Sequence, residues 1–386
     1  MATRRTKKEG SIWRDKKKWR AAVLVDGKRI TRNFDTKTEC SAWIKEMQAQ
    51  VERGMTYRKS SITLGTFVQQ WLDIHKTTLA PKTAIQYEQL VQDYILPQIG
   101  KIKLRELRLD RIEAHYTTLQ EDGLSPRSVR FVHSILHKCL NDAIRRGYVG
   151  YNASQGATQP RIEHKEMSIL DEGEVMQFLI TIQGSSHEAL YILAIKTGIR
   201  RGELLALKWS DLNWKNGTIR VQRQVQRIKE QGMIFRPPKT RAGRRTIQLG
   251  EQTLQTLRNQ FERCKMLKEV AGRNWKDLDL IFPSTVGTPL GGSNVLKDFK
   301  AQLEKAGIKE IRFHDLRHTA ASLMLNHGVP VLVVSKILGH SKTSTTLDIY
   351  GHLIPVMQED AARIMDEIVT PIQVDLGELI QTEALD

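Results

Sequence analysis

Near the N-terminus, apolar and polar residues alternate over three short runs, 11–13, 19–25 and 29–34, a period of two that predicts strands. Asp26-Gly27, between the second and third runs, is a hairpin dipeptide because both residues tolerate positive φ. From 36 to 51 the period lengthens, and Ala42, Trp43, Met47 and Val51 fall on one side of a helix. A minimal sheet of three strands backed by one helix is expected.

The pattern turns helical from 66 onward. Within 81–99, Tyr87, Leu90, Val91, Tyr94 and Ile95 keep helical spacing, and 109–122 is a further helix. The clearest helix follows Ser125, an N-cap, with Pro126 at the first helical position. Its apolar stripe is Val129, Val132, Leu136, Cys139, Leu140 and Ala143, and Gly147 stops it. Four such helices make a compact bundle, set off by linkers at 60–65 and 152–164. A third region opens at Asp171, where Glu174 completes a capping box. Helices at 177–182 and 188–197 precede strand signals at 218–225, 233–236 and 245–249, and helices return from 253 to 366. The expected fold class is multidomain and mainly α with small β-sheets. A three-stranded sheet plus helix spans 1–58, a helical bundle 62–152, a mixed but mainly α domain 165–370, and an acidic tail 371–386.

Charge sharpens this division. The chain has 60 Lys+Arg against 43 Asp+Glu, a net +17, of which 1–58 holds +9, 161–355 holds +11 and 356–386 holds −7. No apolar run approaches the roughly 18 residues that span a bilayer, and no apolar segment follows the basic MATRRTKKEG start. Cys40, Cys139 and Cys264 are too scattered for a disulfide framework or a cysteine zinc site. The expectation is a soluble, cytoplasmic protein with a polyanionic partner and no membrane contact. In the first module Arg14, Lys16, Lys17, Lys18, Arg20, Arg29 and Arg32 are expected on the exposed sheet face. A basic ribbon of that width fits a DNA major groove, and a merely solvated charged face is the alternative.

Four motifs carry chemistry. Thr197-Gly198-Ile199-Arg200-Arg201-Gly202-Glu203-Leu204 lies at a turn opening a helix, and Arg236-Pro237-Pro238-Lys239-Thr240 precedes a strand. His314-Asp315-Leu316-Arg317-His318 follows, then Leu338-Gly339-His340, with Tyr350 ten residues after that histidine. Arginine, lysine, HxxR, LGH and tyrosine in that order resemble the catalytic constellation of the tyrosine recombinase (phage integrase) family, over about 165–355. The bundle resembles that family's core-binding domain. The first module resembles the arm-type DNA-binding domain of phage and conjugative-transposon integrases.

A phosphodiester is anionic and very slow to cleave, so its site must supply strong electrostatic stabilisation. Arg200 and Arg317 are candidates to grip non-bridging oxygens and stay charged at every relevant pH. His314 shares a helix face with Arg317 at i, i+3, and His340 adds a third donor. Tyr350 is the nucleophile the resemblance implies, forming a 3′-phosphotyrosyl link and releasing a 5′-hydroxyl. A phenol of pKa near 10 costs roughly 4 kcal/mol to ionise at pH 7, so His314 is expected to take its proton. Lys239 matches the family's general acid for the leaving oxygen. Glu203 is expected to orient an arginine or a histidine, and His318 to pack beside the site as a structural residue. His314 and His318 stand i, i+4, but Arg317 on the same face would repel a cation and no third ligand follows, so no metal is expected. The covalent link conserves the bond energy, so no cofactor is expected either.

The resemblance further implies double-stranded attachment-site DNA as partner, a homotetramer on that DNA, and accessory DNA-bending and excision factors. An amphipathic helix over 357–368, with Ile364, Met365 and Ile368 apolar, either packs on its own domain or docks on a neighbour. A Xer-like chromosomal recombinase, a type IB topoisomerase and a non-catalytic DNA-binding regulator on the same fold are the rival readings.

Overall fold

The computed structural model describes residues 10–15, 18–25, 28–52, 62–163, 167–228, 231–351 and 354–369. Lys16, Lys17, the Asp26-Gly27 turn and the tail 371–386 lie outside the described residues. The chain divides into two compact units, 1–164 and 165–386.

The first unit begins with strands β1 (Ser11–Asp15), β2 (Lys18–Val25) and β3 (Lys28–Phe34), paired antiparallel in that order, and helix α1 (Lys37–Glu52). Ala21, Val23, Cys40, Trp43, Ile44 and Met47 form its small core, so α1 covers one face of the sheet. Directly opposed residues share a face, and the register pairs Arg14 with Trp19 and Ala21 with Arg32. That register overturns part of the expected basic face. Arg14 and Arg32 emerge on the helix-covered side, where the Arg32 guanidinium lies 5.5 Å from the Phe34 ring centre. The open face carries Trp13, Arg20 and Asn33 in one row and Leu24 with Arg29 in another, and Lys18 shares their parity.

A separate core belongs to the bundle of α2 (Leu64–His75), α3 (Pro81–Leu90), α4 (Leu96–Ile99), α5 (Leu109–Glu121) and α6 (Pro126–Arg145). A π-helical turn, Val91–Ile95, joins α3 to α4, so 81–99 is one continuous rod as the spacing predicts. The Ser125 cap forms, and the whole stripe from Val129 to Ala143 is buried. Each large apolar side chain so buried contributes about 1.5–3 kcal/mol.

The second unit is mainly helical: α7 (Glu172–Thr181), α8 (Glu188–Thr197), α9 (Arg201–Leu204), α10 (Glu251–Ala271), α11 (Gly292–Lys305), α12 (Asp315–Asn326), α13 (Val331–Leu338), α14 (Ser344–Tyr350) and α15 (Ile354–Ile368). Its core centres on Phe178, Leu190, Tyr191, Phe299 and Phe313, with Asp171 and Glu174 making the predicted capping box. The strands are β4 (Leu212–Asn213), β5 (Thr218–Val221), β6 (Gln224–Ile228), β7 (Gly232–Arg236) and β8 (Arg245–Gln248).

The single strand expected over 218–225 is two, in two different sheets. β4-β5-β8 form one sheet and β6-β7 a separate ribbon. The break falls where buried Asp211 accepts hydrogen bonds from Gln222 Nε2, at 2.6 Å, and from Arg223 Nη1, drawing both side chains toward it. Lys239 therefore sits in the crossing between two sheets, from β7 to β8. In α15, Ile364, Met365 and Ile368 are all exposed. No helix among the described residues is long and apolar enough to cross a membrane.

Candidate active site

Helix α8 ends at Gly198, whose φ of +61° belongs to the left-handed region. A side chain is strained at that φ and its Cβ would stand 2.6 Å from Leu338 Cδ2, so glycine suits the turn where it meets the end of α13. The Gly198 carbonyl accepts a 2.7 Å hydrogen bond from Arg317 Nη1, tying the first arginine motif to α12. Arg317 is 4% exposed, and its buried Nη2 has no partner. An unmatched buried donor costs about 1–3 kcal/mol, a deficit that an arriving oxygen acceptor removes.

Arg200 opens α9 and donates from Nη1 to Glu203 Oε1 at 2.9 Å, while Glu203 Oε2 accepts the Arg200 backbone N–H. Glu203 is buried and Arg200 is more open, so the carboxylate holds the guanidinium from behind. The other side of Glu203 is taken by Arg245, whose Nη1 donates to Oε2 at 3.1 Å. Burial and the nearby Arg200 and Arg245 charges push the Arg317 pKa down to about 9, which still leaves it cationic at neutral pH.

The entry to α12 is fixed by Asp315. Its carboxylate accepts the Arg312 backbone N–H at 2.8 Å and the Arg312 guanidinium, which sets His314 at the head of the helix. One turn on, His318 Nδ1 lies 2.7 Å from the Tyr350 hydroxyl. Among the described residues this histidine, not His314, is the hydrogen-bond partner of the tyrosine, which departs from the role expected for each. His314 is the most exposed of the three site histidines, with its ring 5.4 Å from that of His318.

Tyr350 closes α14 and is 3% exposed, packed with Ala321, Leu325, Val334 and Leu338. Burial pushes its pKa up to about 12, with Arg317 opposing. Ionising it outright at pH 7 would cost about 7 kcal/mol, so its proton has to pass to a base as the bond forms. Partial burial of the ring, then His318, Arg317 and Arg200, lowers His314 below its ordinary value. Burial, then Arg317, Arg200 and Arg245, lowers His340 to about 4, and burial first lowers His318 as well. Uncharged imidazole can accept a proton, so the cluster holds its bases ready among fixed cations.

His340 follows Gly339, the left-handed cap of α13, and its Nδ1 meets Thr346 Oγ1 at 2.8 Å. Lys239 is exposed between β7 and β8, and among the described residues no hydrogen bond or ion pair links it to the cluster. The structure thus gathers Arg200, Glu203, His314, Arg317, His318, His340 and Tyr350, and leaves Lys239 at the rim. Arg245 joins them unforeseen. Its signal was parity: it occupies the same inward positions of β8 as Ile247, where an arginine needs a reason to be buried. Among the described residues no group of three or more His, Cys, Asp or Glu side chains is placed to hold a metal ion.

The phage integrase family model matches residues 168–355, and the model of the phage integrase N-terminal SAM-like domain matches 63–120. A tyrosine recombinase XerC-like protein of Caldanaerobacter subterraneus subsp. tengcongensis is 29% identical, over 94% of this chain and 99% of that one. An integrase of Streptomyces ambofaciens is also 29% identical, over 95% of this chain and 98% of that one. In fold the chain is similar to the Tn1549 transposon integrase in complex with transposon right end DNA, with a TM-score of 0.67, 21% identity, and coverage of 80% of this chain and 100% of that one. The two matched segments fall on the helical bundle and on the whole span from Arg200 to Tyr350, and the chain belongs to the phage integrase family of tyrosine recombinases.

Proposed function

We propose that this recombinase cuts and rejoins double-stranded DNA at attachment sites to integrate and excise a mobile element or prophage, through a 3′-phosphotyrosyl intermediate on Tyr350. One observation carries the reading: a buried tyrosine hydroxyl rests on a histidine nitrogen at 2.7 Å, beside a buried arginine with an unpartnered donor. That is a nucleophile with its base next to an anion receptor.

In the proposed reaction Arg200, Arg317 and His340 bind the non-bridging oxygens as charge builds on the phosphorus. His318 takes the Tyr350 proton, and His314 serves as a further donor at the phosphate. The P–O5′ bond breaks as the tyrosyl oxygen bonds to phosphorus, and Lys239 gives the 5′-oxygen its proton. Because Tyr350 is 3% exposed, the segment 344–350 has to shift before the scissile phosphate can reach its oxygen. The open face of the N-terminal sheet, with Lys18, Arg20 and Arg29, contacts arm-type DNA sites. The exposed apolar face of α15, Ile364, Met365 and Ile368, docks on a second copy in a tetramer on DNA. Accessory bending and excision proteins set the direction of recombination.

The test is a nicked suicide duplex carrying the core sequence from the ends of the element that encodes the chain. The wild type should accumulate a covalent protein–DNA adduct on denaturing gels and Tyr350→Phe should not. No adduct from either would favour the non-catalytic DNA-binding reading.

A further inference from the structure

We propose that Arg245 is a positioning residue, a clamp that sets the Lys239 segment against the His340 segment. The proposal rests on the recombinase chemistry proposed above. Arg245 donates from Nη1 to the Gly243 carbonyl at 3.1 Å and to Glu203 Oε2 at 3.1 Å, and from Nε to the Ile337 carbonyl. Gly243 lies four residues after Lys239, and Ile337 three before His340. One planar guanidinium, only 6% exposed at its side chain, therefore joins α9, the crossing that bears Lys239, and the end of α13. A guanidinium can do this because its donors form a rigid fork, whereas a lysine ammonium is a single flexible point.

Two further contacts point the same way. Gly339, at φ +70°, lets the end of α13 approach so closely that a Cβ would fall 2.8 Å from the Ala242 carbonyl oxygen and 3.0 Å from Arg245 Nη1. The Arg245 side chain is enclosed, so it acts through the segments it joins. Removing Arg245 leaves Arg200 held, because Glu203 still bonds its guanidinium and its backbone N–H. Both ties are lost, but the His340 segment keeps its own hold, His340 N–H on the Ser335 carbonyl and Nδ1 at 2.8 Å from Thr346 Oγ1, whereas the Lys239 segment has no other described bond to the cluster. The consequence is specific: loss of Arg245 impairs protonation of the leaving 5′-oxygen more than binding of the phosphate.

A 5′-bridging phosphorothiolate separates these roles. In that substrate the P–S bond breaks and sulfur leaves as a stable thiolate, so no general acid is needed. Full-length wild type, Arg245→Met, Arg245→Lys, Lys239→Ala and Arg317→Ala would be compared on nicked core duplexes with oxygen or sulfur at the bridge. Thermal melting and gel-shift binding would run alongside. On the oxygen substrate Arg245→Met should slow cleavage ~100-fold or more, within the range a general acid supplies. On the sulfur substrate it should come within ~10-fold of wild type, as should Lys239→Ala, while Arg317→Ala stays slow. Arg245→Lys should behave like Arg245→Met, since it keeps the charge without the fork. A defect of Arg245→Met as large on the sulfur substrate as on the oxygen substrate would overturn the inference. A wild type that forms no adduct on either substrate would overturn the functional reading instead.

Discussion

Arg20 on the N-terminal sheet pairs at the surface with Asn33, at 2.8 Å, and with Asp15, at 3.0 Å, and stays open to solvent. Arg317 in the second unit is almost wholly buried, holds one carbonyl, and keeps one nitrogen unpartnered. The same side chain is cheap in the first setting and costly in the second. At the surface, water and salt screen the charge, so such arginines contribute to affinity through the number of phosphates they neutralise. In the cluster, Arg200, Arg245 and Arg317 share Glu203 as the carboxylate bonded between two of them, and the excess positive charge is fixed before any phosphate arrives. In the proposed reaction the sheet positions DNA and the cluster stabilises a transition state.

That contrast breaks first at Arg317. Arg317→Ala should lower cleavage of a nicked core duplex by ~10³-fold, the scale of losing a main transition-state donor. Gel-shift binding should change only a few-fold. A parallel loss of binding and cleavage would make Arg317 a docking contact, the role proposed for Arg20.

Next comes the base. His318→Ala should slow adduct formation ~10²-fold and remove the acid limb of its pH–rate profile, because the proton of Tyr350 loses its acceptor. His314→Ala should slow the reaction but keep that limb. The reverse pattern would return the base to His314 and make the 2.7 Å contact a resting arrangement.

The smallest effect sharpens the sheet side. The double change Arg20→Ala, Arg29→Ala should reduce the log–log salt slope of arm-site binding by ~1.8, at ~0.9 per phosphate. Arg14→Ala with Arg32→Ala should change it less, since the register turns both toward α1. Equal slopes for the two pairs would count against the open face as the DNA contact.

Much of this was legible before any coordinates. The stripe of α6, its Ser125 cap and the capping box at Asp171 are local signals, and each formed where its pattern lies. The grouping of Arg200, Arg317, His340 and Tyr350 was legible from motif order. What the sequence hid depends on partners distant in the chain. The break between β5 and β6 needs buried Asp211 to take Gln222 and Arg223. The pairing of His318 with Tyr350 needs α14 to fold back against α12 across 32 residues. Arg245 was half visible: its alternation with Ile247 marked an inward position, but Arg241 and Arg244 beside it made the run look like a solvated basic surface.

Whether the Tyr350 oxygen attacks phosphorus is decided by locating the covalent bond. Wild-type adduct trapped on the suicide duplex would be digested with nuclease and trypsin and its peptides sequenced by mass spectrometry. The expected product carries a nucleotide 3′-phosphate on Tyr350 within the peptide 343–363. A nucleotide on any other residue would contradict it.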